Sequence, residues 1–182
     1  MESVIQTALA TIAALLLVIV DVHGEVTQQE DSSVVDAFKV FRAMPSVVAI
    51  YDIDHDGDLD CATAVQTELT EEPEEATYVL QLKSLGGRPP FNLTYHAKRG
   101  PAPNTPYFTL GDDYYIVQQN HIDYTDYQNC VVMGYPYKDV QECILWVTEA
   151  LKDDVPQGCV DYFDDNCDSK KESYVKDACT SS

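Results

Sequence analysis

The sequence predicts an all-β fold of about eight short antiparallel strands, arranged as a barrel or a sandwich. Three observations predict it. Short runs rich in β-branched and aromatic residues recur along the chain: "SVVAIYDI", "CATAVQTEL", "TYVLQLK", "FNLTYHAK" and residues 106–110, 114–121, 129–135 and 143–148. Tyr78, Leu80 and Leu82 take every second place in one run, and Phe91, Leu93, Tyr95 and Ala97 in another, the period of a strand with one buried face. The turn formers "GGRPP", "RGPAPN", "LGDD" and "YPYKD" separate the runs.

The first 24 residues differ from the rest. Val4 to Val20 is apolar except for Gln6, Thr7 and Thr11, and "VHG" follows with small residues suited to cleavage. A signal peptide over residues 1–24 is expected, despite Glu2 and the lack of an early positive charge, with one domain over residues 25–182 and a secreted, soluble product. No later apolar run approaches the ~20 residues that span a bilayer. Asp31-Ser32-Ser33 is the expected cap of a short N-terminal helix bearing Val34, Phe38 and Phe41 at helical spacing, with Pro45 limiting it. After Trp146, "VPQGCVDYFDDNC" predicts a turn and a short C-terminal helix.

Six cysteines, all after the apolar leader, predict three disulfides in a secreted chain and leave their pairing open. No CxxC or paired-histidine spacing supports zinc. Asn92-Leu93-Thr94 is a glycosylation sequon. A glycan there must face solvent, which turns Phe91, Leu93 and Tyr95 inward. Inside a small barrel these would wall a space for one small ligand, or simply fill a core.

The formal charge is −20. Without Glu2 and Asp21, 29 acids face 11 bases, a balance of −18. That surface argues against nucleic acid and anionic membranes as partners. Asp52, Asp54, Asp56, Gly57, Asp58 and Asp60 imitate the start of a calcium-binding EF-hand loop, but the place of its final bidentate glutamate falls on Thr63, and strand-like runs flank it instead of helices. A weak incidental calcium site stays open; no metal or cofactor is expected. The histidines His23, His55, His96 and His121 lie in no nucleophile or zinc-protease motif, so no enzyme is expected.

"DAFKVF", "AIYDID", "DYQNCVV", "CILWV", "VPQGC", "YFDDNC" and "YVKDAC" occur in that order. This series resembles the tick salivary lipocalins of the histamine-binding family across nearly all of residues 25–182. The resemblance implies an eight-stranded antiparallel lipocalin barrel with a short N-terminal and a C-terminal helix. It also implies the pairs Cys61–Cys179, Cys130–Cys159 and Cys143–Cys167. By its pattern, Tyr51 and Asp54 match amine-site residues, and Trp146 matches the aromatic of a Glu-Leu-Trp/Tyr motif. Four of the family's acids are replaced: Ile144, Val131 and His121 stand in three places, and a fourth falls near Thr94, where neither Leu93 nor Tyr95 is acidic.

The implied function is capture of a biogenic amine such as histamine or serotonin by a monomeric secreted barrel. The expected ligand residues are Tyr51, Asp54, Leu93, Tyr95, His121, Val131, Ile144 and Trp146. The lost acids leave a lipid mediator open (leukotriene, fatty acid or sterol), and the acidic surface leaves a host protein open. A compact protease inhibitor is disfavoured, because its cysteines would sit in a far shorter chain.

Overall fold

The computed structural model describes residues 34–53, 56–83, 89–111, 117–137 and 140–180. The expected signal peptide and the expected cap at Asp31-Ser32-Ser33 lie outside them. Helix α1 spans Ala37–Ala43 and is capped by Asp36, whose Oδ1 accepts from the backbone nitrogens of Phe38 at 2.8 Å and Lys39 at 3.1 Å. Val34 therefore precedes the helix and is exposed, while Phe38 and Phe41 are buried. Burial opposes ionisation of Asp36, but the two amides and Arg99 outweigh it and hold its carboxyl below the usual range.

Nine strands follow: β1 (Ser46–Asp52), β2 (Thr63–Glu71), β3 (Glu74–Leu82), β4 (Phe91–Lys98), β5 (Tyr107–Leu110), β6 (Val117–Gln119), β7 (His121–Thr125), β8 (Cys130–Tyr137) and β9 (Val140–Thr148). Their hydrogen-bonded order is β6-β5-β4-β3-β2-β1-β9-β8-β7, every pair antiparallel. The end strands β6 and β7 are consecutive in the chain, with Asn120 alone between them. They are two halves of one strand that leaves β5 and joins β8, so the barrel closes through the chain itself. Counted that way, it has eight strands. The run expected over residues 114–121 thus breaks at Asn120, whose amide donates to the Pro106 carbonyl at 3.1 Å, while that of Ile122 donates to Asn104 at 2.8 Å.

Strands β1, β9 and β8 are buried on both faces, and their sequences show it as nearly unbroken apolar runs. One face, with Val47, Ala49, Val131, Ile144 and Trp146, joins the barrel interior; the other, with Val48, Ile50, Val132, Leu145 and Val147, forms a second core outside it. Helix α2 (Gln157–Asn166) covers that outer core and buries Cys159 and Phe163, four residues apart on one helical face.

The three disulfides fasten this outer layer. Cys130–Cys159 joins β8 to α2, and Cys143–Cys167 joins β9 to the segment just past α2. Cys61–Cys179 joins the β1–β2 connection to helix α3 (Lys176–Thr180). Strand β10 (Lys171–Glu172) pairs with Tyr51 and Asp52 on β1, past the point where the β1–β2 ladder ends at Val48. Asp52, first of the aspartates that imitate a calcium loop, is buried there. It accepts from the Ser173 hydroxyl at 2.7 Å and lies 3.8 Å from Lys171 Nζ, which also contacts Asp60. No described helix is long and apolar enough to cross a membrane.

Two predictions follow from this framework. The Cys61–Cys179 bridge spans 118 residues, so removing both cysteines is expected to cost on the order of 4–5 kcal/mol by chain entropy, measured as a lower urea midpoint. Asp36→Ala is expected to cost about 1 kcal/mol at neutral pH. Because the Asp36 carboxyl is held low, its contribution is present above the ordinary carboxylate range and lost as pH falls through its lowered value. The difference between wild type and variant should therefore close in acid.

Candidate functional site

A cavity of about 140 Å³ lies inside the barrel. Its wall comes from nearly every element. Helix α1 contributes Val40 and Phe41, its C-terminal cap contributes Met44, and together they plug one end. Strand β3 gives Tyr78 and Leu80, β4 gives Tyr95 and β5 gives Phe108. The kinked β6–β7 strand gives Gln118, Asn120 and Ile122; β8 gives Val131, Met133 and Tyr135; β9 gives Ile144 and Trp146. Ladder register places Val131 beside Trp146 and Tyr135 four residues further along β8, roughly 13 Å at strand rise.

Among the described residues, six aromatic rings line it and no carboxylate does. The closed end is tightly built. Phe41 packs edge-on to Tyr78 and Phe108, and Phe108 to Tyr95. The Tyr78 hydroxyl accepts from Gln66 at 2.9 Å and reaches the Met44 and Phe41 carbonyls at 3.3 and 3.4 Å. Burial pushes this phenol well above its ordinary pKa, so it stays neutral, and these bonds tether α1 to the barrel wall.

The structure brings together four of the expected ligand residues, Tyr95, Val131, Ile144 and Trp146, in this wall. Leu93 packs against the same core without lining the cavity. Phe91 shares the strand face but stands at the end of β4, 47% exposed, not inward as expected. Asn92 beside it is exposed.

Two expected residues face the wrong way. Tyr51 follows a register shift in β1 and packs outside the barrel, with its ring 5.8 Å from Phe163 of α2 and Lys170 over its face. His121 precedes inward-facing Ile122 and so turns outward, lying over Gly134 and 3.3 Å from Asp123. Asp54 lies outside the described residues.

Other wall residues escaped the sequence reading. Continuing the alternation from Val131 would have found Met133 and Tyr135. Stepping back from Trp146 and Ile144 finds Glu142, on the same face of the unshifted β9 ladder and 3% exposed. It is a buried inward carboxylate close to the cavity, paired across the ladder with Tyr135. The aspartate series forms no calcium loop among the described residues: Asp52 and Asp60 share Lys171, and Asp56 caps a turn by accepting from the Asp58 amide at 2.9 Å. The one described cluster with metal-ligating groups, Asp126, Cys130 and Cys159, has both sulfurs in a disulfide.

A small antiparallel barrel, plugged by an N-terminal helix and walled with aromatics, defines a lipocalin-type binding fold. The model of the tick histamine binding protein family matches residues 50–181, and the chain belongs to that family. No sequence among the curated proteins matches it. Japanin from Rhipicephalus appendiculatus, solved with cholesterol, has a similar structure at a TM-score of 0.56 and 14% identity, over 71% of this chain and 91% of that one. A serotonin complex of AM182 aligns at 0.58 and 16%, over 78% and 91%. Lobster apocrustacyanin A1 aligns at 0.57 and 11%, over 76% and 80%. At these identities the likeness is one of fold.

Tyr51→Ala is expected to leave affinity for a barrel ligand within about twofold while lowering the urea midpoint, because its ring belongs to the outer core. Titration of wild type and variant with one ligand, beside their unfolding curves, separates the two effects.

Proposed function

We propose that this protein is a secreted, non-catalytic tick lipocalin that sequesters a small host mediator in its barrel, and that the part of the ligand held there is apolar and uncharged. One observation carries this reading: among the described residues, the cavity wall holds six aromatic rings and no carboxylate. A cation moved into such a space without a counter-charge forfeits far more hydration than aromatic faces return. A lipid mediator (a leukotriene, a fatty acid chain or a sterol) meets the wall on its own terms. The ligand named for japanin, cholesterol, is of that kind.

A second reading, capture of a biogenic amine, is favoured by Glu142. This carboxylate is buried and faces inward beside the cavity, where it can pair with an ammonium whose ring occupies the aromatic wall. Asp54 is the other acid that the family pattern offers, and serotonin in the AM182 complex is a ligand of this type. Capture of a host protein by the acidic surface has no comparable support in the geometry.

Calorimetry against leukotriene B4, arachidonate, cholesterol, histamine and serotonin tests the choice. Binding of at least one lipid is expected, with none of histamine. Histamine binding with silence from every lipid would overturn the first reading. The second then predicts that Glu142→Gln or Asp54→Ala weakens amine affinity by at least tenfold, the scale of a lost charge-assisted hydrogen bond.

A further inference from the structure

The cavity wall contains two buried polar atoms with no hydrogen-bond partner among the described residues, Trp146 Nε1 and Asn120 Oδ1. Each residue is only 7% exposed. A buried indole N–H normally finds an acceptor, and native structures leave few such groups unmet. Leaving such a group unmet in a buried site is costly, yet here two occur in the wall of a single, largely apolar cavity.

They also sit apart. Trp146 lies at the level of Val131, its ladder partner on β8. Asn120 stands two residues before Ile122, whose partner is Met133, which sets it near the level of Tyr135, at the other end of the lined stretch. The kink that closes the barrel is what puts Asn120 there, because its backbone bonds to Pro106 instead of a neighbouring ladder. One atom is a donor and the other an acceptor, with a largely apolar wall between them.

Resting on the barrel-ligand reading above, we infer that the cavity selects an uncharged, elongated ligand with a polar group at each end. One end presents an oxygen that accepts from Trp146 Nε1–H. The other presents a hydroxyl that donates to Asn120 Oδ1. The body between them is an apolar chain or flat ring system. Plain hydrocarbon is disfavoured, because it covers both protein groups without satisfying them.

The test uses straight-chain α,ω-diols of six to twelve carbons and the matching 1-alkanols, titrated by calorimetry into the disulfide-intact protein, Trp146→Phe and Asn120→Leu. Near-UV circular dichroism checks that each variant is folded, and either variant alone suffices. At the best chain length, the diol is expected to bind wild type at least as tightly as the alcohol. In each variant the diol should fall about tenfold or more relative to the alcohol, because one hydroxyl is then buried unpaired. A diol-to-alcohol ratio unchanged in either folded variant would overturn the inference while leaving the barrel reading intact. Failure of both series to bind wild type would overturn the barrel reading and the inference with it.

Discussion

The double burial of β1, β9 and β8 is the constraint on which the rest of the structure depends. These strands carry apolar residues on successive positions, so neither face tolerates water. The inner face closes around the cavity, and the outer face needs α2 with Cys159 and Phe163 to cover it. All three disulfides serve that outer layer. Holding the cover covalently lets the inner face remain incompletely filled. A cavity weakens a core through lost contacts, and here a cross-linked second core on the far side of the same strands offsets that loss.

The same arrangement explains which residues reach the ligand space. Around the register shift in β1, the side chains reassort, and Tyr51 joins the outer core beside Phe163. A family pattern transferred position by position cannot register such a shift. On β9 the ladder is unshifted, so Ile144 and Trp146 fall where the pattern puts them, and Glu142 joins them by simple alternation.

Much of the fold was legible in the sequence. The strand runs and the two helices followed from period and turn chemistry, the inward phase of Tyr95 from strand alternation with the sequon at Asn92, and the family resemblance implied the cysteine pairs that the structure contains. Of the wall residues, Tyr95 was legible from that strand phase, and Val131, Ile144 and Trp146 from the family pattern. What escaped had physical causes. Asp36 caps α1 although an earlier Asp-Ser-Ser offered equally good chemistry. Asn120 breaks a strand because its backbone finds Pro106, a long-range bond that no local pattern announces. Asp52 is buried because a cation and a hydroxyl over a hundred residues away meet it. His121 turns outward because its neighbour Ile122 is claimed by the core.

The central claim is that the apolar interior of the barrel is the binding site. Native mass spectrometry of the protein purified from its own source, without organic solvent, tests it most directly, beside Trp146→Arg made to fill and charge the cavity. The account predicts a mass excess that denaturation releases as an uncharged or largely apolar small molecule, and that Trp146→Arg loses it. A ligand-free mass throughout, or a bound molecule retained by folded Trp146→Arg, would contradict the account.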